Sequence, residues 1–426
     1  MFLGGGGFHV SENKSFTLVE LLVVIGILAV LTTAVVIILN PSDYLAQARD
    51  SRRMQDLSLL NNSLQNLEAI DPTISFGTSL TVYVSIPDDA SSTCGTLGLP
   101  ALPATYTYNC VSTANLTKTN GTGWVPVNFT TQSIVQLSAL PIDPTNTPTD
   151  GLYYTYIPGG SYELNTILES NKYRLSGDKD RTSSDGGDSF AVYEIGTNKT
   201  LNPIKDSGLV GYWKFDGGTS GSISNNQTTG FEDFSSNNNG GTAKNTNGTG
   251  MSWAQGKVGG AVSFDGADDY VNLGSLDNLS GNSETVSFWQ NAYSRNDFGS
   301  SVDSSLGGSE ATIRFNIGYY YSVSPHFSVF IGNGSSAQSF SFYNTIPLGT
   351  WEHYIVVLDG SNLKVFLNGT QLSSTENVAI TLAQGIYGIA KGSGGAGFFN
   401  GLIDDVRIYD RALSVSEIKA IYNATK

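Results

Sequence analysis

Nineteen consecutive residues without a charge, Leu21 to Leu39 (LLVVIGILAVLTTAVVIIL), constrain this chain more than any other feature. As a helix they would be about 29 Å long, enough to cross the hydrocarbon core of a bilayer. A cleavable secretory signal has a shorter apolar region ending in small residues at a cut site, whereas this longer run ends in the bulky Val35-Val36-Ile37-Ile38-Leu39. The chain continues instead into YLAQARDSRRMQDLSLLNNSLQNLEAI, where Leu45, Met54, Leu57, Leu60, Leu64 and Leu67 form an apolar stripe, at spacings of three or four after the first step. The pattern predicts one long helix over residues 16–69, membrane-spanning at 21–39 and projecting beyond. Pro41 removes one backbone hydrogen bond and favours a kink or break just after the apolar run.

A chain of 426 residues needs more than one domain. Its 37 acidic and 22 basic side chains leave a net charge of −15, which offers no footprint for nucleic acid. Charged residues are 14% of the chain, against about 25% in an average soluble domain, and the 49 glycines point to many turns and a β-rich body. Three histidines (His9, His326, His353) and two cysteines cannot assemble a zinc site. Cys94 and Cys110, in a polar, turn-rich stretch, read as a small disulfide loop outside the cytoplasm; two unrelated thiols are the alternative.

Glu20 stands at the start of the apolar run, where an unpartnered carboxylate costs about 2.5–3.5 kcal/mol. The segment KSFTLVELLVVIGILAVL, Lys14 to Leu31, resembles the processing site and first helix of bacterial type IV pilins and pseudopilins. The resemblance implies a leader over residues 1–15, cut by a prepilin peptidase between Ser15 and Phe16, and N-methylation of the new amine. Glu20 then becomes the fifth residue of the mature chain and pairs with the Phe16 amine of a neighbouring pilin subunit during assembly. Ser15 departs from the glycine usual at the cut. Arg49, Arg52 and Arg53 also run against the leader motif, since a count of positive charges places the carboxyl side in the cytoplasm. The leader motif implies the opposite orientation: an inner-membrane precursor, then a pilus or the cell surface.

Residues 70–204 are rich in Thr, Ser, Tyr and Pro with short β-like runs. LSALPIDPTNTPTDGLYYTY, Leu137 to Tyr156, resembles the loop and antiparallel sheet of a pilin head, with Asp150-Gly151 as a turn before the aromatic strand. Asp178, Asp180, Asp185 and Asp188 in GDKDRTSSDGGDS gather oxygen ligands suited to calcium. An EF-hand register fails at Ser183 and Ser189, but the loop resembles the calcium loop of major pseudopilins. A solvated acidic turn offset by Lys179 and Arg181 is the plain alternative.

From residue 205 the pattern is all β. Lys205 to Gly208 read as a linker, and WEHYIVVLDGSNLKVFLNGTQL is two strands around the Asp359-Gly360 turn. GYWKFD, VGGAVSFDGADDYV, that hairpin and the closing NGLIDDVRIYDRALSVSEIKAIYN resemble the laminin-G-like branch of the concanavalin A-like lectin/glucanase superfamily. The implied fold class is multidomain α+β: a pilin helix, a small antiparallel head over 70–204, and a jelly-roll sandwich over 205–426. The resemblance also implies one structural Ca2+, for which Asp216, Asp233 and Asp404 are the candidates. A hydrogen-bonded core role for Asp404, or a salt bridge from Asp405 to Arg407 or Arg411, is the alternative. Ala412 to Tyr422 should form a terminal helix capped by Ser414 and Glu417.

Retaining glycoside hydrolysis needs paired carboxyl groups about 5–5.5 Å apart. The glucanase motif E-x-D-x-x-E does not occur, Asp268-Asp269 lie in a turn, and strand alternation sends Asp404 and Asp405 to opposite faces. His326 and His353 lack a nucleophile motif, and His353 reads as a packed strand residue. The expected function is therefore not enzymatic but adhesive: a pilin-like subunit whose outer domain binds a surface glycan or protein. Tyr319, Tyr320, Tyr321, Phe327 and Phe398 are candidate sugar platforms. A pseudopilin of a type II-like secretion apparatus and a membrane-anchored lectin are the alternatives.

Overall fold

The computed structural model describes residues 17–426 except 40, 104, 132–136, 176, 204–205, 236, 246–247, 249, 277–278, 280, 295–298, 306–312, 321–325, 334, 344–346, 373–374, 380–381, 383–385 and 392–396. At 30–39, 299–305, 313–316, 319–320 and 386 it describes the backbone only.

The predicted long helix is helical on either side of residue 40, which lies outside the described residues. Helix α1 (Leu18–Leu39) has 22 residues, about 33 Å, and α2 (Pro41–Ile70) has 30, about 45 Å. The kink or break expected at Pro41 turns on residue 40 and so lies outside the described residues. Among the described residues, no helix is long and apolar enough to cross a membrane; the side chains of the second half of α1 lie outside them.

The head sheet has five strands in the order β2-β1-β3-β4-β5. These are β1 (Thr81–Val84), β2 (Thr107–Asn109), β3 (Tyr154–Pro158), β4 (Tyr162–Thr166) and β5 (Tyr193–Gly196). β1 pairs with β2 in parallel and the other pairs are antiparallel. Leu57, Leu60, Leu64 and Leu67 of α2 are fully buried against Trp124, Tyr154, Tyr156 and Tyr162. The predicted stripe fails at its upper end: Leu45 is exposed and Met54 half-buried. There Arg53 turns inward, because Asp50, Asp143 and Glu169 supply it with buried partners. Across the sheet, Cys94 and Cys110 form a disulfide with Cα atoms 5.3 Å apart, buried beside Val82, Val84 and Ile157. Their sequence separation of 16 gives a closure worth about 3 kcal/mol. Cys94→Ala with Cys110→Ala should lose that amount in chemical denaturation, and an unchanged midpoint would mean that packing alone holds the loop.

The second body is a sandwich of two antiparallel sheets. Its strands are β6 (Leu209–Trp213), β7 (Thr242–Lys244), β8 (Ser252–Gln255), β9 (Gly260–Asp265), β10 (Tyr270–Ser275) and β11 (Ser283–Ala292). They continue as β12 (Gly299–Ser305), β13 (Ile313–Tyr320), β14 (His326–Gly332), β15 (Ala337–Phe342), β16 (Glu352–Asp359) and β17 (Asn362–Leu367). The last are β18 (Thr370–Gln371), β19 (Glu376–Asn377), β20 (Ile386–Ile389) and β21 (Asn400–Tyr409). One sheet runs β15-β14-β13-β12-β20-β10-β7. The other runs β18-β17-β16-β11-β21-β9-β8, with β19 on β17 and β6 on β21. Trp213, Phe264, Phe288, Val329, Tyr354 and Ile403 are among the side chains that fill the layer between them. Asp359 pairs with Asn362 across a two-residue turn in which Gly360 takes φ +61°, open to glycine without strain. Helix α3 (Val415–Thr425) begins with the expected capping box. Ser414 Oγ accepts from Glu417 N at 3.3 Å, and Glu417 Oε2 accepts from Ser414 N at 2.8 Å.

Head and sandwich are not joined by a free linker. Phe190 of the head is buried in a cluster with Leu209, Tyr212, Ile355, Tyr409 and Ile418, on the outer face of the larger sheet. Lys214 forms a buried ion pair with Asp188 and donates to Thr200 O at 3.2 Å. Arg407 donates to Asp188 O at 3.0 Å, and Ser207 O accepts from Arg411 Nε at 2.8 Å. Both faces of the larger sheet are therefore covered at this point.

Candidate functional site

Three regions carry the predicted functional groups. At the amino end, Ser15 and Phe16 lie outside the described residues. Glu20 has a partner within its own chain: its Oε2 accepts from Thr17 N at 2.9 Å and Thr17 Oγ1 at 2.8 Å, while Thr17 Oγ1 accepts from Glu20 N at 3.2 Å. This is a capping box on α1. The apolar side chains that follow stand in the open, from Val24 at 45% exposed to Leu18 at 79%.

The acidic loop before β5 does not converge on one point. Asp178 is exposed. Asp180 accepts from Thr182 N at 3.0 Å and Ser183 N at 3.2 Å, an Asx turn. Asp185 accepts from Gly187 N at 2.9 Å and Glu194 N at 2.7 Å, and burial raises it to about 7. Asp188 pairs with Lys214. The Lys199 ammonium bonds the Asp185 carbonyl, and a cavity of about 450 Å³ beside the loop is lined by Lys179, Arg181 and Lys199 as well as Asp185 and Glu194. These four aspartates do not fit a shared calcium ion, since the Lys214 ammonium holds the Asp188 carboxylate, backbone amides hold those of Asp180 and Asp185, and Asp178 is exposed.

The third region lies at the rim of the sandwich, around the turn from β8 to β9. Asp404 is fully buried; its Oδ2 accepts from Val258 N at 2.9 Å and its Oδ1 has no partner. Burial, then the neighbouring Asp405, raises its pKa well above the usual carboxylate range. Asp216 accepts from Gly260 N at 2.7 Å. Glycines make the approach possible: a Cβ at Gly256 would stand 2.7 Å from Asp404 Oδ2, and one at Gly260 2.6 Å from Gly218 O and 2.7 Å from Phe215 O. Asp404, Asp216 and these two carbonyls supply hard oxygens to one turn and fit Ca2+. Asp233 does not belong to this set. Both its oxygens are spent on Tyr212 N, Ser235 and Asn239 N at 2.7–2.9 Å, tying the loop after β6 to the sheet.

Asp405 departs from the expected alternation. It is buried at φ +50° with Arg407 3.2 Å away, because the β11–β21 register slips between Ser287 and Trp289. The extra residue makes a β-bulge that turns Asp405 under the head.

His353 is fully buried, its ring centroid 4.9 Å from that of Trp289 and 6.0 Å from that of Tyr422, with Nε2 2.9 Å from Ser287 Oγ. Burial lowers its pKa to about 3. An unfolded histidine takes up a proton near pH 6.5, whereas the folded one stays neutral until about 3, so this contribution to stability is lost as pH falls through that window. Wild-type stability should fall more steeply than that of His353→Gln there, by about 1.4 kcal/mol per pH unit. Parallel denaturation profiles for the two proteins would count against it.

Among the candidate sugar platforms, Phe327 is fully buried, its ring centroid 4.4 Å from that of Tyr354. Phe398 is half-buried with its ring centroid 6.3 Å from that of Tyr270. Tyr319, Tyr320 and Tyr321 lie outside the described side chains. Tyr293 and Tyr343, 50% and 73% exposed, are rings that the sequence pattern did not single out. Each follows a strand whose aromatics are buried or half-buried, so composition could not separate them.

An exposed apolar helix with an acid at its start, a small head and a two-sheet sandwich make up the described chain, and two family models match parts of it. Residues 11–36 match the prokaryotic N-terminal methylation motif, and residues 265–419 match the concanavalin A-like lectin/glucanases superfamily in its laminin-G form. Domain 4 of AbnA, a GH43 extracellular arabinanase from Geobacillus stearothermophilus solved with arabinotriose, is 21% identical, covering 50% of this chain and 97% of its own at a TM-score of 0.40. The heptameric SAP-like pentraxin of Limulus polyphemus is 21% identical over 33% of this chain and 69% of its own, TM-score 0.27. A botulinum neurotoxin type C structure, described as entering cells through two ganglioside molecules, is 17% identical over 49% and 51%, TM-score 0.36. At these scores none of the three bears on what this chain binds.

Proposed function

We propose that this chain is a pilin-like filament subunit of the cell surface whose laminin-G-like domain binds glycans or a protein surface. The observation that carries the reading is the methylation motif at residues 11–36, which leads into an apolar helix whose large side chains from Leu18 to Leu28 are 45–79% exposed. In this reading a prepilin peptidase cuts before Phe16, the inner membrane holds the precursor, and other pilin subunits then bury the face from Leu18 to Leu28. The Cys94–Cys110 bridge suits an oxidising compartment.

The outer domain is proposed as a binding module and not an enzyme, since no carboxylate pair of the glucanase kind occurs in its sequence. Ca2+ held by Asp404 and Asp216 would brace the turn around Gly256–Gly260. Exposed rings such as Tyr293 and Tyr343 offer faces to pyranose C–H groups. A shallow site of this kind binds weakly, and repetition along a filament multiplies it.

Immunogold labelling of sheared filaments with an antibody against residues 208–423 tests the reading. Gold along the shaft supports a repeated subunit, and gold at tips a minor adhesin. Signal confined to the envelope favours the secretion pseudopilin or the anchored lectin. The Thr17–Glu20 box favours the anchored lectin, because it gives the carboxylate a role that needs no filament.

A further inference from the structure

The turn from β9 to β10 carries Asp265, Asp268 and Asp269, and one carboxylate oxygen from each lies within 4.8 Å of the others. Asp269 is fully buried. Its Oδ2 accepts from Asp265 N at 3.2 Å, but its Oδ1 has no hydrogen-bond partner. Burial raises Asp269 to about 7, with Asp265 and Asp268 adding to the shift. Three carboxylates held this close repel one another unless a cation or protons intervene.

A second observation comes from a different strand. Asn245, 1% exposed, has neither Oδ1 nor Nδ2 hydrogen-bonded. The β7–β10 ladder pairs Ala243 with Val271 and Lys244 with Tyr270, so the next position sets Asn245 opposite Asp269. Ala243 and Val271 are both fully buried, and by the period of two Asn245 and Asp269 share their inward face. Residues opposed in this way have Cβ atoms about 4.5–5.5 Å apart. An orphaned amide therefore faces an orphaned carboxylate oxygen. Farther on, Gly250 at φ +112° seats its backbone against the same group: a Cβ there would stand 2.3 Å from Asp265 Oδ2 and 2.9 Å from Asp269 Oδ2.

One ion between these groups satisfies both orphans and the repulsion at once. The donors are all hard oxygens, which excludes the nitrogen- and sulfur-seeking metals. Calcium takes carboxylate and amide oxygens in irregular geometry, whereas magnesium demands a near-ideal octahedron and keeps its waters. We propose that Asp265, Asp268, Asp269 and Asn245 form a Ca2+ site, separate from Asp404 and Asp216 and independent of the filament reading. The ion ties Asn245 at the end of β7 to the β9–β10 turn, beside the Tyr270–Phe398 ring pair.

Equilibrium dialysis of the full chain in detergent, stripped with chelator and titrated with CaCl2, tests this. The wild type should bind one more Ca2+ per chain than Asp265→Asn, with a Kd of about 10⁻⁴–10⁻³ M, the range of extracellular modules. Asp404→Asn should keep this ion. Asp265 is exposed, so its variant keeps the fold, which far-UV circular dichroism checks; Asn245→Ala should weaken binding about tenfold as an independent arm. The proposal is overturned if Asp265→Asn and Asn245→Ala bind as much Ca2+ as the wild type. It also fails if all bound Ca2+ is lost in Asp404→Asn, or if equimolar MgCl2 displaces the ion.

Discussion

Arg53→Ala should destabilise the head by about 3–5 kcal/mol, a loss on the scale of breaking a buried ion pair from one side. Arg53 is fully buried and stands at the centre of a charge cluster. Its Nη1 lies 2.9 Å from Asp50 Oδ1, its Nε 2.6 Å from Asp143 Oδ2, and its Nη2 2.9 Å from Asp143 Oδ1 and 2.5 Å from Glu169 Oε1. Removing the guanidinium leaves Asp50 and Asp143, both fully buried in their side chains, without a counter-charge. Asp50 also accepts from the amides of Glu169 and Ser170 at 2.9 and 2.8 Å, so the disturbance reaches the strand-end loop that follows β4. Arg53→Lys should recover only part of the loss, since an ammonium cannot grip Asp143 with two parallel bonds. Denaturant midpoints of the full chain in detergent give the comparison. A cost under about 1 kcal/mol for Arg53→Ala would mean that water enters and replaces the guanidinium.

The same cluster shows what the sequence could reveal and what it could not. Arg49, Arg52 and Arg53 read as loose positive charges that opposed the leader's orientation. In the fold each is neutralised: Arg49 by Glu169, Arg52 by Asp56 at 3.2 Å, Arg53 by three carboxylates. Two of those partners lie about a hundred residues away, and no local period announces them. Patterns with a local cause were legible, including the apolar run, the leucine stripe from Leu57 onward, the Asp359-Gly360 hairpin and the Ser414 cap. Contacts that depend on how two bodies meet were not. Asp188 looked like one of four loop ligands, yet it belongs to Lys214 in the first strand region of the sandwich. Asp405 looked outward by alternation, and the head covers it there beside Arg407. Asn245 carried no signal, because its significance is a place one step beyond the Lys244–Tyr270 pair, toward Asp269.

Glu20→Ala should abolish incorporation into filaments while leaving membrane insertion intact, since the run Leu21–Leu39 is unchanged. Two physical causes would produce that loss, and Glu20→Gln separates them. The first is the charge pair with the Phe16 amine of a neighbouring subunit, which needs an ionised carboxylate. The second is the capping box with Thr17, which starts α1 squarely and is worth about 0.5–2 kcal/mol. Glutamine still serves in such a box, so Glu20→Gln keeps the cap and removes only the charge. The pilin-like reading expects both variants to fail alike in sheared-filament yield, with normal amounts in the membrane fraction. Recovery with glutamine would assign Glu20 to the helix start and leave assembly to apolar burial. Full yield in both would remove Glu20 from assembly altogether and leave apolar burial of the face from Leu18 to Leu28 to hold the filament.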